Sequence, residues 1–220
     1  LAAGLAHEIG TPLNVILGRA ESLRRSVPAG EAADRHLGII VSQSERIARI
    51  VRDMLDFARM KPRRHLATDL RALVSATIEL IERRAEQQRV TVDVGAGAAA
   101  AVVKGDPDQL QQVLLNLASN ALDAMPEGGR LEIALEVTDA APPDAPGDVR
   151  RTVQVTFRDT GTGIDPDAIV RVFDPFYTTK EAGRGTGLGL SVAYGIIEEH
   201  GGWFGVDSTP GAGTTFRVHL

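Results

Sequence analysis

Apolar positions recur at alternating spacings of three and four over the second quarter of the chain. Leu37, Ile40, Ser44, Ile47, Val51, Met54 and Ala58 keep one a/d seam, as a helix packed against other helices requires. Ala2, Leu5, Ile9, Pro12, Ile16 and Leu23 repeat the pattern less strictly. Between the two runs, "SVPAGE" (26–31) supplies the Pro and Gly of a tight reversal. The expected unit is an antiparallel helical hairpin over 1–60. A hairpin cannot bury its own seam well, so two copies forming a dimeric four-helix bundle is the economical arrangement.

"KPRRHLATDL" (61–70) breaks the seam with Pro62 and a basic cluster, and reads as a linker over 61–68. From 69 to 220 the pattern is mixed. A helix is predicted over 69–84, with short strands at 90–94 and 101–103. Asp106 is a good N-cap with Pro107 in the first helical position, opening a helix to about Ala124. "RLEIALEVT" (130–138) and "TVQVTFRD" (152–159) alternate like half-buried strands, joined by a proline-rich segment expected to be a mobile hairpin loop. A helix over 188–200 follows a glycine-rich stretch, and "WFGVDS" with "TTFRVHL" reads as a closing hairpin. This order suggests an α/β sandwich, a sheet with helices on one face.

Composition narrows the chemistry. The 220 residues contain no cysteine, which excludes disulfides, thiolate catalysis and Cys-ligated metals. A formal charge of -5 argues against general nucleic-acid affinity. No apolar run is long enough to span a bilayer. The chain opens without Met, already inside a helical pattern, and reads as a fragment of a longer protein.

Three clusters carry candidate chemistry. Asn116 and Asn120 are four apart on the Asp106 helix and so share a face, where an amide oxygen suits Mg²⁺. Taken alone, they are as readily exposed or capping asparagines. "DTGTGI" (159–164) places Asp159 at a strand end, able to accept a hydrogen bond from an exocyclic amine such as adenine's. Gly161 and Gly163 there let a flat ring approach closely. The third cluster, "FDPFYTTKEAGRGTGLGLSV" (173–192), sets Gly183, Gly185, Gly187 and Gly189 before a helix, where backbone N–H groups and the dipole favour phosphate. Lys180 and Arg184 add positive charge to what reads as a mobile lid. This is not a Walker A loop, since no Gly-Lys-Ser/Thr is present.

All three clusters in this order resemble the transmitter core of a bacterial two-component sensor histidine kinase, over essentially the whole chain. "HEIGTP" (7–12) is similar to that family's H box, "NLASNALDAM" to the N box and "DTGTGI" to the G1 box. "FDPFYTTK" resembles the F box and "GTGLGL" the G2 box. "NALDAM" and "FYTTK" look most like the nitrogen-regulation-type subgroup. The resemblance implies a dimerisation and phosphoacceptor hairpin followed by an ATP-binding domain of the Bergerat or GHKL type, with ATP and Mg²⁺ as ligands. Asn120 is then the Mg²⁺ ligand and Asn116 a support for the phosphates. Asp159 reads adenine in a pocket shaped by Gly161 and Gly163. Phe173 and Phe176 anchor the lid, with Lys180, Arg184 and the loop Gly185, Thr186, Gly187, Leu188 and Gly189 on the phosphates. Thr162 stands where the family more often has proline. Asp123 stands where many relatives place a basic phosphate contact, which puts more demand on Lys180 and Arg184.

Gyrase-type, mismatch-repair and heat-shock relatives hydrolyse ATP with a glutamate one turn before the metal-binding asparagine. Here that position is Asn116, which cannot take a proton from water. Some other phosphoryl acceptor is needed, and His7 is the candidate. A neutral imidazole is a competent nucleophile near neutral pH, provided its other ring N–H is oriented. Glu8 is placed to hold that N–H. Thr11, one turn on, is a candidate for positioning water against an aspartyl phosphate on a partner. Pro12 is expected to bend the helix beside His7.

The expected activity is transfer of the ATP γ-phosphoryl to His7 and then to a response-regulator receiver domain, from a cytoplasmic homodimer. Membrane attachment of the whole protein stays open. An ATP-driven conformational machine of the same fold, a non-catalytic regulator-binding scaffold, and a transmitter acting chiefly as a phosphatase are the competing readings.

Overall fold

A computed structural model describes residues 13–23, 25, 34–42, 44, 47, 64, 66–95, 101–180 and 186–220. The chain divides into two compact units, 1–61 with 175–189, and 62–174 with 190–220. In the first unit, residues 13–23 (α1) and 34–42 (α2) are helical, as the heptad spacing predicts. Ala20, Leu37 and Ser44 are buried there, while Ile16, Leu23, Ile40 and Ile47 from the same seam positions stay exposed. The rest of the predicted seam, at 2–12 and 51–58, and the reversal at 26–31 lie outside the described residues.

The second unit runs β1 (Leu66–Asp69), α3 (Leu70–Gln87), β2 (Val90–Val94), β3 (Val102–Gly105), α4 (Pro107–Ala124), β4 (Gly129–Ala140), β5 (Arg150–Asp159), α5 (Pro166–Ile169), α6 (Gly189–Glu199), β6 (Trp203–Thr209) and β7 (Gly213–His219). Five strands form one sheet in the order β2-β4-β5-β7-β6, with only β2 and β4 parallel. β1 and β3 pair separately and antiparallel. The period-2 strands bury Leu131, Ile133 and Leu135 from β4 and Val153, Val155 and Phe157 from β5. Against them lie Leu70, Val74 and Ile81 of α3, Leu110, Val113, Leu114 and Leu117 of α4, and Val192, Ala193, Ile196 and Ile197 of α6. This is the expected sandwich, three helices sharing one core with a sheet.

The opposite sheet face is polar and held by side-chain pairs. Gln154 Nε2 donates to Glu136 Oε1 at 2.6 Å, and the Trp203 and His219 rings stack 4.8 Å apart beneath the Arg150 guanidinium. Burial, helped by the Arg217 charge and opposed by Glu136, holds the His219 imidazole below its ordinary value.

Two elements depart from the sequence reading. β1 occupies 66–69, overlapping the segment expected as linker, and α5 forms a single turn under Asp165 and Pro166. Neither has an apolar period to reveal it. β1 buries only Thr68, whose hydroxyl donates to Gly105 O at 3.0 Å.

Asp106 caps α4 as the sequence predicts, its Oδ1 accepting from Asp108 N at 3.0 Å and Gln109 N at 3.3 Å. It does more. Oδ2 accepts from Arg64 N at 3.2 Å, and its own N–H donates to His200 Nε2 at 3.0 Å. Burial works against the carboxylate. The N–H groups of Arg64, Gln109 and Asp108, with the Arg64 charge, outweigh that and hold its pKa below the ordinary value. Asp106→Ala is expected to cost about 1–2 kcal/mol in a urea titration at neutral pH. Because the folded pKa is the lower one, that contribution is complete above the ordinary Asp value of about 3.9 and is lost as pH falls through the folded pKa.

Candidate functional site

α4 carries the first part of the site. At 3.6 residues per turn, Ser119, Asp123, Asn116, Asn120 and Ala124 occupy a continuous arc of about 140°. Leu110, Leu114, Leu117, Ala118, Ala121 and Leu122 on the remaining face are buried in the core and fix the helix's rotation. Asn116 and Asn120 are half-buried in the middle of the arc. At one rim Arg84 reaches across from α3, donating from Nη1 to Ser119 Oγ at 3.0 Å and pairing through Nη2 with Asp123 Oδ1. At the other rim the loop after β5 sits down, with Thr162 N donating to Ala124 O at 3.1 Å.

That loop holds Asp159, which is 5% exposed at the end of β5. Its Oδ1 accepts from Gly161 N at 2.8 Å and Thr214 N at 3.2 Å. Among the described residues no side chain or backbone donor reaches Oδ2. Burial pushes the carboxyl above its ordinary value, and the two N–H donors partly offset this. The glycines are required by contact. A Cβ on Gly161 would lie 2.6 Å from Ala124 O, and one on Gly163, whose φ is +70°, 2.1 Å from Thr209 O. Ser208 supports the loop from β6, its Oγ accepting from Ile164 N at 2.8 Å.

Gly163→Ala is therefore expected to lower stability by about 2 kcal/mol, from positive φ and backbone overlap together. Gly195→Ala is the control. It lies in α6 with open space where a Cβ would go, and should gain up to about 1 kcal/mol of helix propensity. A urea midpoint that falls for both, or for neither, would refute this assignment.

Phe173 is half-buried against Tyr194 and Phe204, with ring centroids 5.0 and 5.1 Å away. In the other unit Phe176 is 63% exposed, with φ of +66°, and its N–H donates to Gly187 O at 2.9 Å. Gly187 takes φ of +68°, and a Cβ there would lie 2.4 Å from the Phe176 carbonyl carbon. These two residues close the base of the expected lid on itself. Lys180 N donates to Thr178 Oγ1 at 3.2 Å and Leu188 N to Thr186 Oγ1 at 3.4 Å. Leu188 is buried, and Gly189 is the first residue of α6. His7, Glu8, Thr11, Arg184 and Gly185 lie outside the described residues.

Asn116, Asn120, Asp159, Gly161 and Gly163 are thus brought together around the C-terminal half of α4. Arg84, Ser208 and Thr214 are site neighbours that the sequence did not signal. Arg84 sits in the charged run "ERRAEQQR" (82–89), where nothing distinguishes it from a solvated arginine.

Comparison with known proteins matches both parts of the chain to described families. The family described as "Histidine kinase-, DNA gyrase B-, and HSP90-like ATPase" matches residues 105–220, and "His Kinase A (phospho-acceptor) domain" matches 1–63. Sensor kinase CckA of Brucella abortus is 37% identical over the whole chain, which covers 24% of that protein. Sensor histidine kinase ZraS of Escherichia coli is 33% identical, again over the whole chain and 44% of its own length. The chain thus spans a quarter to somewhat under half of these curated relatives. Among solved structures, full-length ShkA in complex with AMPPNP superposes with a TM-score of 0.76 at 27% identity, over all of this chain and 45% of that one. The catalytic domain of histidine kinase ThkA covers 71% of this chain and 95% of its own, with a TM-score of 0.58 at 27% identity. The chain belongs to the sensor histidine kinases, as a transmitter core in which a phospho-acceptor domain precedes a histidine kinase-type ATPase domain.

Proposed function

We propose that this chain is the autophosphorylating core of a two-component system, moving the γ-phosphoryl of ATP to His7 and from there to a response-regulator aspartate. The observation that carries this reading is the α4 arc. Asn116 occupies the position from which a carboxylate would activate water, and the arc's acid, Asp123, is ion-paired with Arg84. Among the described residues of this arc no carboxylate stands ready to activate water, which supports a reading in which the nucleophile comes from elsewhere in the chain.

The residues fit the nucleotide. Asp159 Oδ2, which no described donor reaches, is an acceptor for adenine's amine, on a loop whose glycines let it pack closely on Ala124 and Thr209. The AMPPNP complex of ShkA, an ATP analogue on a related chain, supports the same ligand. Asn120 would supply one oxygen to Mg²⁺, which neutralises phosphate charge when bound. Among the described residues no cluster of three acidic or histidine side chains offers a competing metal site. Asn116, Lys180, Arg184 and the loop 185–189 would serve the phosphates.

In the transfer, the His7 lone pair forms the P–N bond as the bond to the ADP oxygen breaks. Glu8 holds the other ring N–H and balances the charge developing on the imidazole. Thr11 would position water for the reverse, phosphatase reaction on the regulator. The exposed Ile16, Leu23, Ile40 and Ile47 support a homodimer through the hairpin, since an open apolar seam is stabilised by a second copy. The division into 1–60, 61–68 and 69–220, and the nitrogen-regulation-like placement, belong to the same proposal. Among the described residues no helix is long and apolar enough to cross a membrane.

The test is incubation with γ-labelled ATP and Mg²⁺. Acid-labile, base-stable label on the protein is expected. ATP turnover without protein label would overturn the kinase reading and favour a conformational ATPase.

A further inference from the structure

Arg84 has no role of its own in the function just described, yet from α3 it reaches the α4 arc that carries Asn116 and Asn120. Asp123 on α4 lies on that arc, and Asp159 stands at the end of β5 in the loop at its other rim. Asp123 lies one turn after Asn120 and two turns after Asn116, on the same face of α4. A bare carboxylate there repels a polyphosphate, which keeps net negative charge even with Mg²⁺ bound. Arg84 meets that carboxylate from the side opposite the Asp159 loop. Nη2 pairs with Asp123 Oδ1, and Nη1 is steered by Ser119 Oγ at 3.0 Å. The guanidinium is held by two anchors from consecutive turns of one helix, a fork geometry that a single-point cation cannot reproduce. Both side chains are partly open to solvent, 40% for Arg84 and 27% for Asp123, so the pair adds little to stability by itself.

We infer that Arg84 is a positioning residue for the nucleotide's phosphate chain: by masking Asp123 it keeps the Asn116–Asn120 face of α4 from repelling a polyphosphate. The inference rests on the nucleotide reading of the site and deepens it. It assigns to α3 a part in distinguishing phosphorylated from unphosphorylated adenine compounds. Asp159 reads the base at one rim of the arc, and Arg84 sets the charge at the other.

The test uses the whole chain and equilibrium binding of MgATP and of adenosine, each competed against a fluorescent nucleotide. Arg84→Ala is expected to weaken MgATP on the order of tenfold, the screened repulsion of one carboxylate, and to leave adenosine within about twofold. Arg84→Gln, which can still donate to Ser119, should behave the same way and guards against a misfolded alanine variant. Asp123→Asn alone should bind MgATP at least as well as the parent. In the Asp123→Asn background, Arg84→Ala should cost less than about threefold, because no carboxylate is left to mask.

Three results overturn the inference. One is MgATP affinity unchanged in Arg84→Ala and Arg84→Gln. Another is an equal loss of adenosine and MgATP, which marks a purely structural role. The last is a cost that persists in full without Asp123. A parent chain that binds neither ligand removes the nucleotide reading itself, and is told apart from these failures because each of them leaves parental binding intact.

Discussion

His7→Ala is expected to abolish acid-labile labelling by γ-labelled ATP while leaving MgATP affinity within about twofold of the parent. The two readouts separate because the acceptor and the nucleotide site belong to different parts of the chain. The proposed binding residues at 116–120 and 159–163 lie over a hundred positions from His7. Removing the nucleophile removes the only bond-forming lone pair in the proposed step, so the effect is complete loss rather than a graded one. Asn120→Ala should fail differently, losing label and MgATP-dependent affinity together. Label retained in His7→Ala would locate the acceptor elsewhere. Label lost together with adenosine binding would mean that the substitution had damaged the fold.

Asp159→Asn is expected to lower ATP affinity by about 100-fold with no loss of stability. An asparagine can keep its Oδ1 where Gly161 N and Thr214 N donate at 2.8 and 3.2 Å. Its amide NH₂ then replaces Oδ2 and faces the adenine amine, donor against donor. Stability should hold or rise, because burial already makes the charged carboxylate costly. The sign follows from the raised folded pKa. The ionised side chain costs stability at neutral pH, and that cost disappears as pH falls through the folded pKa towards the ordinary value of about 3.9. In the asparagine variant this component of the pH dependence is absent. A melting temperature well below the parent's would show that Asp159 holds the loop and not the base.

What could be read in the sequence follows from what is local. Asp106 with Pro107 announces the start of α4 through its own capping chemistry, and β4 and β5 announce themselves by alternation. The clusters at 116–120, 159–163 and 173–189 stood out because glycines and asparagines are costly where they fall unless something uses them. β1 escaped notice because it buries only Thr68, and its pairing is with residues 102–105. Arg84 escaped for a related reason. Its partners Ser119 and Asp123 lie 35 and 39 residues away, and only the packing of α3 on α4 brings them within reach. Asp123 alone was visible, as an acid out of place. The residue that answers it could not be.

The bonds around Asp106 also tie distant parts of the chain together. Its carboxylate holds the backbone at Arg64, 42 residues upstream, while its own N–H is held by His200, the residue just beyond the last turn of α6. His200 is in turn pinned, its Nδ1 2.7 Å from Ile196 O. The two-stranded ribbon of β1 and β3 is therefore not the only tie between residue 64 and the rest of this unit. These bonds join residue 64 directly to the first turn of the helix bearing Asn116 and Asn120, and to the far end of the helix that opens at Gly189. Asp106 is a coupling pin: its carboxylate and its N–H join the start of this unit to the helix that begins at Pro107 and the helix that ends at Glu199.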